Sequence, residues 1–373
     1  MKDLSGYLKV TRMEASVLRR LVGTAGIAAL LLGSSVGGAL AGDGATFDGG
    51  GQIGKDDGYG TYELAAPTYS VSTDDTLYQY GTGKDGNAYY VTYDGTEWSD
   101  WQGWDAQPAK YVQDPAPVVY QDKAYVTYLG DDGHYYFADG ADWTDISGDY
   151  KFEYAPTANV YGEKLYVYGT ATDGTIYWKD YDGSAWGEWG AIGGDTTSGY
   201  EVYAVDWDGY DNVFWTDDQG VTQWNRYDGT AWTGTKALPG DYEIADAVYA
   251  VGYDDSLYAF GSTKDGKGAY NVFATGDGWA GWAAIDGAAK VEYQPAVHVY
   301  EDEIHAVYSG EDGHGYYVSY GKDGWTEYQD LGGNYAYEPG LYEYGDAFNV
   351  TYTGEDGYAY TKEYAAGDVE SDY

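Results

Sequence analysis

The chain has 373 residues, with 62 acidic and 19 basic side chains, a net charge of −43, 57 glycines, 47 tyrosines and no cysteine. A field this negative repels DNA, RNA and anionic membranes, because gripping phosphate takes clustered lysine and arginine. Without a thiol there is no disulfide, no lipoprotein acylation and no thiolate metal site.

Residues 1–41 stand apart from the rest. They hold three of the four arginines, both methionines and the one long aliphatic run. Arg19 and Arg20 precede the apolar stretch 21–32, and small residues then lead to Ala39-Leu40-Ala41, an A-x-A cleavage pattern. We expect a signal peptide over 1–41, cleaved after Ala41, and a secreted, extracellular protein over 42–373. A retained membrane anchor is the alternative. The leader carries five basic and two acidic residues, so its loss moves the net charge from −43 to −46. Folded chains this acidic are expected in a salty exterior, where carboxylates hold water and salt screens their repulsion, which points to a halophilic or halotolerant source.

Residues 46–54 follow. Their Phe47-Asp48-Gly49 and Gln52-Ile53-Gly54 echo Tyr181-Asp182-Gly183 and Ala191-Ile192-Gly193 far downstream. We expect this piece to be the detached outer strand of a later unit.

From residue 62 onward the chain repeats. Asp85-Gly86, Asp132-Gly133, Asp173-Gly174, Gln219-Gly220, Asp265-Gly266, Asp312-Gly313 and Asp356-Gly357 are spaced by 47, 41, 46, 46, 47 and 44 residues. A second phased series runs through Asp94, Asp139, Asp182, Asp228, Asp277 and Asp323, each with tryptophan close behind. A period near 45 is that of a propeller blade. In the third unit, residues 154–161, 164–170, 175–181 and 185–192 read as four short strands rich in tyrosine, valine and tryptophan, bounded by turn residues. The frame recurs over 62–104, 111–148, 150–194, 200–240, 242–287, 291–333 and 335 to the end. The last unit lacks its outer strand. We therefore expect an all-β fold, a seven-bladed β-propeller of four-stranded blades closed by the N-terminal strand, which leaves no open sheet edge. An open solenoid is the alternative.

Tyr181-Asp182-Gly183-Ser184-Ala185-Trp186-Gly187-Glu188-Trp189, with Ile192-Gly193-Gly194 after it, resembles the repeat of seven-bladed bacterial propeller lectins that bind fucose, and of tectonin-like propellers. The full motif also stands at 93–101 and a shortened one at 277–282. The resemblance implies sugar sites between blades, with glycans or glycoconjugates as partners. The fourth unit departs from it, with Trp232-Thr233-Gly234-Thr235, and the sixth, with Trp325-Thr326-Glu327-Tyr328, so sites there are in doubt.

Candidate ligand-binding residues are the tryptophans. Trp98, Trp143, Trp186, Trp232, Trp279 and Trp325 are expected at one equivalent position per blade, and Trp101, Trp189 and Trp282 at a second. An indole offers a stacking face to a pyranose, but a residue kept in nearly every copy also suits packing between blades. Both readings stand. Asp206, Asp208 and Asp211 surround Gly209 and are candidate calcium ligands, although the EF-hand spacing and its distant glutamate are missing. His134 and His314 occupy matching turns of non-neighbouring blades, which disfavours a shared metal. Sialidase chemistry is disfavoured too, since holding a carboxylate calls for arginines and Arg226 is the only one after the leader. The expected function is a secreted lectin-like propeller without catalysis and without a required cofactor, calcium being the ion it could take. A structural or protein-interaction propeller that self-associates is the alternative, and a glycosidase-like enzyme the third reading.

Overall fold

The computed structural model describes residues 46–53, 62–140, 142–192, 194, 196–287, 289–345 and 347–365. The expected signal peptide lies outside them. Among the described residues the regular elements are all β-strands, arranged in seven antiparallel sheets, one per repeat unit. Blade three shows the plan: Thr157–Tyr161, Lys164–Thr170, Ile176–Tyr181 and Gly190–Ala191 pair in that order.

The first strands of the blades are Tyr69–Ser72, Ala116–Tyr120, Thr157–Tyr161, Tyr203–Trp207, Tyr249–Tyr253, Ala296–Tyr300 and Gly340–Tyr344. Each lies beside the first strand of the next blade, and Gly340–Tyr344 lies beside Tyr69–Ser72, so they form a closed ring around the axis. The N-terminal strand Thr46–Gln52 pairs antiparallel with Ala359–Ala365, setting Gln52 opposite Tyr360 and Gly51 opposite Thr361. It supplies the fourth strand of blade seven, as the echo of the repeat at residues 46–54 predicts. The open solenoid is excluded.

The repeated turn has a local cause. Gly86, Gly133, Gly174, Gly220, Gly266, Gly313 and Gly357 have φ between 76° and 86°, a left-handed conformation that costs glycine nothing. The preceding aspartate closes the turn by accepting a backbone N–H two residues on: Asp85 from Asn87 at 2.9 Å, Asp132 from His134 at 3.0 Å, Asp356 from Tyr358 at 3.1 Å. A tyrosine four residues on then donates to its other oxygen, Tyr89 to Asp85 at 2.7 Å and Tyr136 to Asp132 at 2.8 Å. Blade four has Gln219 there, and Asp217 takes over by accepting from Gln219 at 3.0 Å and Val221 at 2.9 Å.

Packing runs between blades rather than within them. One cluster joins Val118, Tyr125 and Phe137 of blade two to Val160, Leu165 and Val167 of blade three. In six of the seven blades an aliphatic residue stands at the end of the outer strand and seals the joint: Ile53, Ile146, Ile192, Leu238, Ile285 and Leu331 are all buried. Blade one carries Trp104 at that position, directly after the strand Gln102–Gly103.

Candidate functional site

Strand register sorts the nine candidate tryptophans. Trp98, Trp186, Trp232, Trp279 and Trp325 sit opposite an aromatic residue of the third strand, respectively Tyr93, Tyr181, Tyr227, Phe273 and Tyr320. They are half-buried wedges against the preceding blade: Trp186 lies 4.9 Å from Phe137, Trp325 5.0 Å from Tyr270 and Trp279 5.5 Å from Trp224, centroid to centroid. The second tryptophans tie blades together. Trp101 Nε1 donates to the Ile53 carbonyl at 3.1 Å and Trp189 Nε1 to that of Ile146 at 2.8 Å, while the backbone N–H of Trp282 reaches the Pro239 carbonyl at 3.1 Å.

Trp143 departs from the expected equivalence. It pairs with Ala138, the counterpart of Lys179 in blade three, so it occupies the second position rather than the first. In blade two Asp139 pairs directly with Asp142, which shortens the outer hairpin and leaves no wedge. The same shortening sets Gly140 where the six other blades have Tyr93, Tyr181, Tyr227, Phe273, Tyr320 and Tyr364. Gly140 has φ 59°, and no atom lies within 4 Å of where its Cβ would be.

The missing rings leave a cavity of about 650 Å³ between blades one and two, a volume in the range of small-molecule sites. Its walls are Tyr78, Tyr80, Tyr90 and Trp104. Trp104 lies 4.8 Å from Tyr90 and 6.4 Å from Tyr80, nearly parallel to the latter at 15°. Its Nε1 donates to the Gly140 carbonyl at 2.5 Å, bridging the two blades across the cavity. Exposed Asp105, Asp122, Lys123 and Asp139 form the rim. Such a site can stack an apolar ring face on indole and phenol while the rim binds polar groups. The sequence reading missed Trp104 and Gly140. The available signal was that each is the odd residue in its column of the repeat.

A second cavity, of about 490 Å³, has the same kind of origin. Thr235 stands where Trp101, Trp143, Trp189 and Trp282 fill the joint in other blades. In blade five the Trp282 ring packs onto Gly240, whereas the matching Gly194 faces only the small side chains of Thr235 and Thr196, so an indole-sized space remains. Gln223, Asn225, Thr196 and Trp232 line it. Of the expected tryptophans, Trp232 thus faces a cavity.

Carboxylates gather near the start of several inner strands. Oxygens of Asp114, Glu201 and Glu338 lie within 4.8 Å of one another, the one such group of potential metal ligands among the described residues. Tyr69 donates to Glu338 at 3.2 Å and Gln294 to Glu201 at 3.0 Å. Burial, reinforced by Asp246, pushes Glu201 up to about 8; burial pushes Asp246 up to about 6; burial and the Glu338 carboxylate hold Asp114 well above the ordinary range. Carboxylates so placed can share protons or hold a hard cation.

The expected calcium ligands do not converge. Asp211 is fully buried toward blade three, accepting from Asn159 at 2.9 Å and from Tyr168, and burial pushes it up to about 7. Asp208 reaches instead toward Thr275 of blade five at 3.5 Å. His134 and His314 each bond to an aspartate of their own blade, Asp145 at 2.8 Å and Asp330 at 3.0 Å.

No protein-family model matches the chain, and no curated protein matches it in sequence. Solved structures do match in fold. The lectin BP39L from Burkholderia pseudomallei aligns with a TM-score of 0.68 at 15% identity, over 81% of this chain and 96% of its own. BBS1N, crystallised in complex with ARL6DN, aligns at 0.58 and 9% identity, over 87% and 97%. A triple mutant of AofleA from Arthrobotrys oligospora aligns at 0.51 and 15% identity, over 73% and 88%. Identities this low establish a common fold and nothing finer. The chain is a seven-bladed β-propeller closed by its N-terminal strand, similar in fold to a lectin, as the Tyr-Asp-Gly and Trp-x-x-Trp motifs imply.

Proposed function

We propose that this chain is a secreted carbohydrate-binding propeller, cleaved after Ala41, whose principal glycan site is the cavity between blades one and two. One observation carries the reading. Two departures from the repeat, Trp104 for an aliphatic residue and the shortened hairpin that sets Gly140 at an aromatic position and removes the wedge tryptophan, fall at the same joint and open one aromatic-walled cavity there.

The polar cavity beside Trp232 and Thr235 is a second, smaller binding position. Two weak sites on one rigid ring gain avidity on a glycan-coated surface through effective concentration. We read both as binding sites without catalysis. The lectin BP39L supports this by fold alone, since the fold is shared with BBS1N, which was crystallised with a protein partner.

The test is a glycan array with the purified protein in high salt, with and without calcium, followed by calorimetry on the best ligand. Binding of a defined sugar class that Trp104→Ala weakens by roughly tenfold or more supports the proposal. Silence under both conditions, or binding indifferent to Trp104→Ala, overturns it and leaves the protein-interaction propeller.

A further inference from the structure

The glycan reading leaves open which chemistry the principal cavity selects, and its rim bears on that. Asp105 comes from the tail of blade one, Asp122 from the turn between the first two strands of blade two, and Asp139 from the shortened outer hairpin. Three separate segments thus bring a carboxylate to one cavity, opposed by Lys123 as the single cation of the lining. Among the described residues no hydrogen bond or ion pair engages these three carboxylates. Elsewhere in the chain, turn aspartates such as Asp94 and Asp182 are occupied by backbone N–H groups of their own turns.

Behind the carboxylates stand the faces of Tyr78, Tyr90 and Trp104. Aromatic faces backed by carboxylates suit a cation: the ring quadrupole attracts it and the charge pairs complete its solvation. An anionic sugar would meet three carboxylates offset by the one cation of Lys123. A neutral one would use the walls and waste the rim.

Resting on the glycan reading of this cavity, we propose that its ligand is an amino sugar carrying a free ammonium group, such as a glucosamine residue, selected over the N-acetylated and neutral counterparts. The ring stacks on Trp104, and the ammonium points to the rim formed by Asp122 and Asp139. The net charge of −43 draws such cations toward the whole surface, so the local contribution has to be separated from the global field. Asp122→Asn with Asp139→Asn does this, since it removes two charges from the cavity and leaves −41 on the chain. Asn is also well suited to position 122, whose φ of 63° it tolerates.

Calorimetry with the glucosamine disaccharide, its N-acetylated form and the matching neutral glucose disaccharide decides the matter. At about pH 6, where a sugar amine is charged, the free-amine form should bind roughly tenfold or more tighter than the other two. The preference should vanish at about pH 9 and weaken in molar salt. The double variant should lose it while keeping its melting temperature. Equal or tighter binding of the N-acetylated or neutral disaccharide, still weakened by Trp104→Ala, overturns the ammonium preference and leaves the glycan site standing. A preference that survives the double variant assigns it to the global field and also overturns the proposal. If none of the sugars binds and the glycan array is silent as well, both readings fall together.

Discussion

The indole of Trp104 donates to the carbonyl of Gly140 at 2.5 Å, and each of these residues is the exception in its column of the repeat. Where other blades end their outer strand in isoleucine or leucine, blade one has an indole; where others have tyrosine or phenylalanine, blade two has no side chain at all. Removal of a ring makes the space, and the added indole lines it.

Trp104 and Trp186 should therefore respond oppositely to truncation. Trp186→Ala deletes a wedge packed on Phe137 and should cost about 3–5 kcal/mol of stability while glycan binding survives in the remaining folded protein. Trp104→Ala should weaken binding by roughly tenfold or more with a smaller loss of stability. Denaturant titration and calorimetry on both variants check this; matching profiles would contradict it.

Thr235→Trp should restore the indole that its column carries in four other blades and fill the cavity beside Gly194. We expect a gain of about 1 kcal/mol, seen as a raised melting temperature. A lower melting temperature would show that the space is not indole-shaped.

Ring closure should be costly to disturb. Ile53 is 1% exposed and packs with Leu64, Val91, Ala359, Trp98 and Trp101, so it holds the last blade to the first. Ile53→Ala should cost about 2–5 kcal/mol. Val112→Ala, at a side chain 51% exposed, should stay within about 0.5 kcal/mol. Urea midpoints for the pair measure the contrast.

Stability should fall as pH rises above the ordinary carboxylate range. Burial raises Asp246 to about 6, Asp211 to about 7 and Glu201 to about 8 in the folded state. Between their unfolded values, near 4, and these folded values the native state binds more protons than the unfolded chain. Their contribution is full below about pH 4 and is lost by about pH 8. Melting temperature should therefore decline across that window, and Glu201→Gln should flatten the decline. A rise with pH would refute the assignment.

Salt should stabilise the fold, because mutual repulsion among the acidic side chains opposes compaction until counterions screen it. Thermal scans from low to molar sodium chloride should show a rising melting temperature. A flat response would remove the halophile proposal.

The sequence by itself determined the blade number, the strand plan and the closure. Those depend on local signals: Asp-Gly turns that need a left-handed glycine, alternating strand residues, and a Phe-Asp-Gly echo at 47–49. Which tryptophans line a cavity was settled only by the tertiary structure. Trp143 looks like Trp186 along the chain, but a hairpin five residues shorter shifts it into the register of Trp189. A joint between blades is filled by side chains from two repeats about 45 residues apart. Whether a ring is packed or lines a cavity therefore depends on the neighbour opposite it, and the acids that cluster near the axis come together only when the ring closes.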